Sequence, residues 1–285
     1  MPFIMKMSNT TRKVAAVHKA LNTSDGAGVK LKRSIGMPDL DYIDPFLLLD
    51  EFSSDSPDEY IAGFPSHPHR GFETVTYMLN GSMKHEDSAG NKGELHSGSI
   101  QWMTAGSGIV HSEMPMQKDG LMRGFQLWVN LPQKYKMMKP RYQDIAPDEV
   151  PVMQINGGWI RILAGNLHGL TGPVQGIVTE PLYIDVELTP AADVTLDVPA
   201  GHSVFAYPFE GSVDFGSGEI QKSNLVEFAD GNTVVARAGK SGGRFILLAA
   251  RPIGEEIFRH GPFVMTTRDE ILTAIKEYNN GTFIK

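Results

Sequence analysis

The chain has 285 residues, of which 41% are hydrophobic and 21% charged, and a formal net charge of −7. This composition is typical of a globular protein with a sizeable core, and the negative charge argues against a general nucleic-acid binder, which needs a basic surface. Because the sequence contains no cysteine, disulfides and thiolate metal sites are excluded, and any metal must bind through nitrogen and oxygen atoms.

The N-terminal stretch, MPFIMKMSNTTRK, mixes apolar and basic side chains. It lacks the continuous apolar core of a signal peptide. No later stretch approaches the roughly 20 apolar residues that a membrane helix needs. We therefore expect a cytoplasmic protein that contacts neither membranes nor nucleic acid directly.

Short runs rich in β-branched and aromatic residues dominate the rest of the chain, and glycines and prolines separate them. Many short strands with this spacing favour an all-β sandwich or barrel over a parallel α/β sheet. The predicted strands are Glu73–Leu79, Gly98–Met103, Gly124–Asn130, Ile160–Ala164, Leu182–Leu188, Val194–Val198, Ser203–Phe209, Leu225–Phe228 and Arg244–Ala250.

The segment Lys134–Val152 is polar and contains three prolines, which predicts a linker. β-rich halves of similar size flank it. We therefore predict two β-barrel domains, residues 1–135 and 150–285, and expect a metal site only in the first, which carries closely spaced histidines.

One helix is predicted near the C-terminus. The stretch Thr267–Glu270 (TRDE) has the form of a capping box, in which the threonine side chain and the glutamate carboxylate each bind the other's backbone amide. Ile271, Leu272 and Ile275 follow at helical spacing, and Asn279–Gly281 provides a stop signal.

Two pairs of metal-binding side chains stand out in the first half. His67 and His69 flank Pro68, and His111 precedes Glu113 by two positions. In a strand, residues i and i+2 project from the same face, so two adjacent strands would bring all four side chains to one interior point. Imidazole and carboxylate suit iron, manganese, nickel, copper or zinc, and four ligands leave positions open for chemistry.

Further predictions concern Pro68 and the two histidines outside the pairs. Pro68 cannot donate to a sheet ladder, so the first pair is expected at a strand start or on an edge strand. His85 and His96 fall outside the two pairs and are interpreted as surface or pocket-rim residues.

Several stretches resemble the pirin family of two-domain cupins, and the resemblance extends over nearly the whole chain. Thr104-Ala105-Gly106 departs from the proline-containing second motif of cupins in general. The resemblance implies an all-β bicupin fold, with two antiparallel β-sandwich or barrel domains and a C-terminal helix. The stretches that carry it are His67–Gly81 (HPHRGFETVTYMLNG), Gln101–Pro115 (QWMTAGSGIVHSEMP), Leu127–Pro132 (LWVNLP), Lys139–Asp144 (KPRYQD) and Gly261–Gly281.

The resemblance also implies a ligand set and a cofactor. The metal ligands would be His67, His69, His111 and Glu113, and the cofactor one divalent transition metal. Fe(II) is the favoured ion, while Zn, Ni, Cu, Mn and Co suit the same ligands. Glu73 is an even number of positions away from His67 and His69, so in a regular strand its side chain would face the same side as theirs. We predict that it supports the ligands or pairs with Arg70, and we keep direct coordination as a minor alternative.

Two functions are consistent with this resemblance. The first is a quercetin 2,3-dioxygenase-like oxidoreductase that cleaves a flavonol with dioxygen and releases carbon monoxide, with Glu113 as the catalytic general base and a small aromatic or enolic molecule as substrate. The second is a metal- or redox-sensing regulatory protein that binds a transcription factor or a metabolic enzyme. The sequence does not decide between the two.

Overall fold

The computed structural model describes residues 10–285, so the stretch Met1–Asn9, which bears on the signal-peptide prediction, lies outside the described residues. No helix in the described part is long and apolar enough to cross a membrane. Twelve strands precede residue 150: β1 (Val14–Lys19), β2 (Leu21–Asp25), β3 (Val29–Ile35), β4 (Phe46–Ser54), β5 (Phe64–His69), β6 (Phe72–Asn80), β7 (Ser82–Asp87), β8 (Lys92–His96), β9 (Ile100–Thr104), β10 (Ile109–Pro115), β11 (Met122–Asn130) and β12 (Arg141–Ile145).

The second half continues this strand-rich pattern and ends in one α-helix. Two 3-10 helices, Pro57–Glu59 and Gln133–Tyr135, lie in the first half. The remaining elements are β13 (Val152–Ile155), β14 (Gly158–Ala164), β15 (Asn166–Leu167), β16 (Leu170–Thr171), β17 (Leu182–Leu188), β18 (Asp193–Asp197), β19 (Ser203–Asp214), β20 (Glu219–Gln221), β21 (Asn224–Phe228), β22 (Thr233–Ala250), β23 (Phe258–His260), β24 (Phe263–Met265) and α1 (Arg268–Asn279).

The chain forms two compact units. One, here called the site unit, comprises Ala20–Val150, Pro173–Thr179 and Pro252–Lys285. The other, the second unit, comprises residues 10–19 together with Pro151–Gly172 and Glu180–Arg251. The predicted domains, 1–135 and 150–285, are contiguous, whereas the compact units are interleaved, because α1 and the C-terminal tail belong to the site unit.

The site unit contains two main sheets. Seven strands run in the order β12-β9-β6-β11-β4-β3-β2, and four in the order β5-β10-β7-β8. Apolar side chains from both sheets pack into one core, which includes Leu31 and Phe52 from the larger sheet and Met83 and Leu95 from the smaller. The two sheets therefore form a sandwich, and the metal-ligand candidates lie on the smaller sheet.

The second unit is organised around one large antiparallel sheet. Its strands run in the order β1-β21-β19-β22-β17-β14-β13, with β18 paired to β22 and β20 to β19. Its buried core is aliphatic and aromatic and includes Ile184, Val204 and Phe245. All nine predicted strands are confirmed across the two units; most ends differ by a few residues, whereas β22 begins at Thr233, eleven positions before the predicted Arg244.

The C-terminal helix and its capping box are confirmed. The amide of Glu270 donates to the Thr267 side-chain oxygen at 3.2 Å, and the amide of Thr267 donates to the Glu270 carboxylate at 2.9 Å. Ile271 is buried, but Leu272 is 52% exposed. The predicted apolar stripe is therefore wrong at Leu272, which faces solvent, while Ala274 takes the next buried position.

The prediction of a linker over Lys134–Val152 is wrong for its first part. β12 pairs antiparallel with β9 at the edge of the seven-stranded sheet. Lys136 is 1% exposed, and its ammonium donates to the Gly71 and Val264 carbonyls at 2.9 and 3.0 Å and to Asn130 Oδ1 at 2.6 Å. The segment has a polar sequence for two reasons. β12 is a half-exposed edge strand, and three oxygens satisfy the buried ammonium of Lys136.

Candidate metal centre

The two histidine-bearing stretches meet on adjacent antiparallel strands. In the register of β5 and β10, His111 lies opposite His67, and His69 lies opposite Ile109. β5 is the edge strand of its sheet, where the missing amide of Pro68 costs no ladder hydrogen bond. The predicted adjacency and the predicted edge position are both confirmed.

Ring nitrogens from the three histidines converge. One nitrogen from each of His67, His69 and His111 lies within 4.8 Å of the other two, and the first two approach to 2.9 Å between their Nε2 atoms. Nδ1 of His67 donates to the Pro65 carbonyl at 2.8 Å, which leaves its Nε2 with a lone pair. Nε2 of His111 is buried and has no hydrogen-bond partner among the described residues.

The histidine environment favours the neutral imidazoles that bind metal. Burial, reinforced by the neighbouring His67, lowers the pKa of His69 well below its ordinary value. Burial, reinforced by His69 and His67, does the same to the pKa of His111. Imidazole lone pairs that converge in a site without a hydrogen-bond donor are unfavourable unless a cation accepts them. The three side chains therefore fit a metal cation.

Glu113 lies on the same strand but is held slightly apart. The β5–β10 register shifts between His111 and Glu113, so that Glu113 lies opposite Phe64. Its side chain is buried, and its Oε1 accepts a hydrogen bond from the Thr76 hydroxyl at 2.7 Å. The group within 4.8 Å consists of the three histidines alone. The fourth ligand therefore stays a prediction.

These side chains border a cavity of about 540 Å³ in the site unit. His67, His69 and Glu113 line one part of its wall, and Trp128 and Phe52 provide apolar surface. A cavity of this size holds a small organic molecule. Within residues 10–285, the three histidines are the one group that combines three or more metal-binding side chains, and it belongs to the site unit.

His85 is the functional candidate that the sequence prediction missed. It is 1% exposed, and its Nδ1 lies 3.4 Å from Nδ1 of His111. Its ring also packs against Tyr142, with centroids 4.7 Å apart. The prediction of a surface or pocket-rim residue is therefore wrong for the buried His85, whereas His96 is exposed as expected. The alternation in β7, where Met83 and His85 share a buried face, is the signal that could have found it.

The expected role of Glu73 near the histidines is also wrong. Gly71, with φ of +88°, interrupts the strand between the first histidine pair and β6. The alternation of side-chain faces therefore does not continue from His69 to Glu73. Thr76 faces Glu113, and Glu73, three positions earlier, therefore faces the opposite side of the sheet. There its Oε1 accepts from the Thr104 hydroxyl at 2.7 Å, and burial raises the pKa of Glu73 to about 7.

Arg70 does not pair with Glu73. Its Nη1 donates to Glu277 of α1 at 2.6 Å, and its Nε and Nη2 donate to the Ser107 and Phe283 carbonyls at 2.7 and 3.0 Å. The side chain is 2% exposed. Arg70 therefore ties the turn that follows His69 to the C-terminal helix and tail.

Comparisons with known proteins agree with this architecture. The profile of the Pirin family matches residues 28–129, and that of the Pirin C-terminal cupin domain matches residues 183–284. The chain belongs to the pirin family. A pirin-like protein of Caulobacter vibrioides is 46% identical, covering 95% of this chain and 99% of its own, and human pirin is 39% identical, covering 95% and 93%.

The solved structure of a similar protein has the same fold as this pirin. Quercetin 2,3-dioxygenase from Acinetobacter baumannii superposes with a TM-score of 0.90 at 31% identity, covering 96% of this chain and 99% of its own. The predicted all-β bicupin fold with a C-terminal helix is thereby confirmed. The pirin histidines described above form a triad that could bind a metal.

Proposed function

We propose that this pirin is a metal-dependent dioxygenase that cleaves a flavonol such as quercetin with dioxygen and releases carbon monoxide. The observation that carries the proposal is the convergence of His67, His69 and His111, of which the first two line a cavity together with the buried Glu113. The similarity to a quercetin 2,3-dioxygenase over nearly the full chain supports the same reaction class.

In this proposal, His67, His69, His111 and Glu113 would hold one divalent metal, with Fe(II) favoured. When bound, the ion supplies a Lewis acid and a template that holds an enolate oxygen near dioxygen. The three histidines supply nitrogen donors, and burial, by lowering the pKa of His69 and His111, keeps these two unprotonated.

Glu113 is proposed to move the substrate proton. The Thr76 hydroxyl holds one carboxylate oxygen, which fixes the orientation of the group and leaves the second oxygen for the cavity. A carboxylate held this way accepts the proton of the flavonol 3-hydroxyl as a general base. Trp128 and Phe52 supply apolar surface against which an aromatic substrate packs.

Carbon monoxide release from quercetin under air tests the proposal. His69→Ala should lose bound metal and turnover together, because it removes a buried ligand from the triad. The control is His96→Ala, which alters an exposed histidine outside the site and should leave both values unchanged. Metal content is measured by elemental analysis of the same samples.

Wild-type protein that releases no carbon monoxide after loading with iron, nickel, copper or manganese in turn would contradict the dioxygenase. That outcome would favour the regulatory alternative, in which the same site senses metal or redox state and a protein partner reads it.

A further inference from the structure

One row of polar side chains crosses the seven-stranded sheet of the site unit at a single level. Its members are directly opposite one another on neighbouring strands, so they share one face of the sheet. This is the face on which Thr76 bonds Glu113. In strand order from β12 to β3, the row is Asp144, Gln101, Thr76, Gln126, Asp50 and Arg33.

Half of this row lines the cavity that the histidines border. Gln126, Asp50 and Arg33 all belong to the cavity wall. Adjacent strands are about 4.8 Å apart, so Asp50 lies roughly 10 Å and Arg33 roughly 14 Å across the sheet from Thr76. This is the scale of a three-ring aromatic molecule with its reacting end at the histidines. The row therefore places charged groups at the far end of such a molecule.

Arg33 is held rigidly at that far end. Its Nε and Nη2 donate to the two oxygens of Asp50, each at 2.7 Å, and Nη2 also donates to Asp25 at 2.6 Å. Asp50 is 3% exposed. Nη1 of Arg33 makes no hydrogen bond to any residue of the described chain. Its two N–H groups are therefore available to a ligand.

The charges around Arg33 select the kind of oxygen that can bind there. A carboxylate substrate would accept from the guanidinium but would be repelled by Asp25 and Asp50. A phenolic hydroxyl can accept from Nη1 and donate its own proton to one of these carboxylates. Apolar side chains of the same cavity, among them Leu31 and Phe52, suit the aromatic ring that carries the hydroxyl.

We infer that Arg33, positioned by Asp50, is a specificity residue that binds a hydroxyl on the end of the aromatic substrate remote from the histidines. The inference rests on the proposed dioxygenase function and names its substrate class: polyhydroxylated aromatics are preferred over analogues with a bare distal ring.

The test compares two flavonols with metal-loaded protein. Quercetin carries two hydroxyls on its distal ring, and galangin has none there. Wild-type kcat/KM should be at least about 10-fold higher for quercetin, since a hydrogen bond to a charged group distinguishes the two molecules. Arg33→Met should lower the quercetin value about 10-fold more than the galangin value. An unchanged quercetin-to-galangin ratio would overturn the inference.

Arg33→Met leaves the Asp50 carboxylate buried without its partner, which can prevent folding. The double variant Arg33→Met, Asp50→Leu removes both charges, and Arg33→Lys keeps the charge but loses the planar fork. Both should show a reduced ratio. If every variant of this set that folds keeps the wild-type ratio, the role of Arg33 is rejected.

Arg244 provides a matched control. It forms the same two-bond pair with buried Asp185, at 3.0 and 2.7 Å, but lies in the second unit and does not line the cavity. Arg244→Met should therefore destabilise the protein by a similar mechanism while leaving the ratio at its wild-type value.

A binding measurement separates failure of this inference from failure of the proposed function. If wild-type protein turns over neither flavonol, the dioxygenase proposal fails, and the dissociation constants of both flavonols are measured by quenching of tryptophan fluorescence. Tighter binding of quercetin that Arg33→Met abolishes supports the distal hydroxyl site. Equal constants for the two flavonols overturn it.

Discussion

A single buried side chain, His85, controls how one candidate ligand is oriented. Its Nδ1 lies 3.4 Å from Nδ1 of His111, whose Nε2 is buried and has no hydrogen-bond partner among the described residues. One of the two Nδ1 atoms must carry the proton of this contact. If Nε2 of His111 were to hold the metal, its Nδ1 would carry the proton and donate to His85. A partner of this kind fixes both the tautomer and the ring plane of a ligand.

Loss of this contact should weaken metal binding without removing a ligand. For His85→Phe we expect the metal affinity to fall about 10- to 100-fold, the usual effect of removing a partner of a ligating histidine. Competition with a chromophoric chelator measures the affinity. His96→Phe, at an exposed position, should leave it unchanged. Wild-type affinity in His85→Phe would show that packing alone orients His111.

At the scale of elements, α1 supports the turn that delivers the first histidine pair. Glu277, on the helix, accepts from Arg70, the residue next to His69. Phe283 in the tail also packs on Arg70, with the guanidinium 4.2 Å from its ring centroid. An element at the end of the chain thus stabilises a turn more than two hundred positions earlier.

Glu277→Ala should therefore be costly although the glutamate is itself partly exposed. The change leaves the buried guanidinium of Arg70 without its carboxylate, and we expect the free energy of unfolding to fall by about 2–4 kcal/mol. Urea denaturation measures it. Lys285→Ala is the matched control, since it removes the exposed partner that Glu277 contacts at 3.3 Å and should cost under about 1 kcal/mol. Similar losses in both variants would contradict the anchoring role.

At the scale of the whole molecule, the buried Glu73 couples global stability to pH. Burial raises its pKa from 4.5 to about 7 in the folded protein. Between these two values the folded state holds a proton that the unfolded state has released. Stability from this group is therefore present at low pH and is lost as pH rises toward 7.

Glu73→Gln removes this titration. The unfolding free energy of the variant minus that of wild type should rise by about 2.5 kcal/mol from pH 5 to pH 8, because only wild type must bury a charge at the higher pH. Urea denaturation of both proteins at both pH values, at constant metal content, measures the difference. Titration of the histidines is common to both proteins and cancels. A difference that is independent of pH would show that Glu73 stays ionised in the fold.

Local patterns predicted the strands, the capped helix and the shared face within each metal-binding pair, because each of these depends on residues a few positions apart. Alternation fixes which side chains share a face, and the capping box fixes where α1 begins. The error at Glu73 arose where alternation was extended across a break. Gly71 resets the parity between His69 and Glu73, and no rule of spacing reveals it in advance.

The sequence by itself determined the all-β character, the nitrogen and oxygen chemistry of any metal site, and the shared face of His67 and His69. Tertiary structure alone decided the partners: His85 behind His111, Glu277 against Arg70, Lys136 among three oxygens, and Arg33 with Asp50 in the cavity wall. These contacts join strands, turns and a helix that are far apart in the chain. Their energies depend on burial and on distances of about 3 Å, which exist only after the sheets have paired and packed.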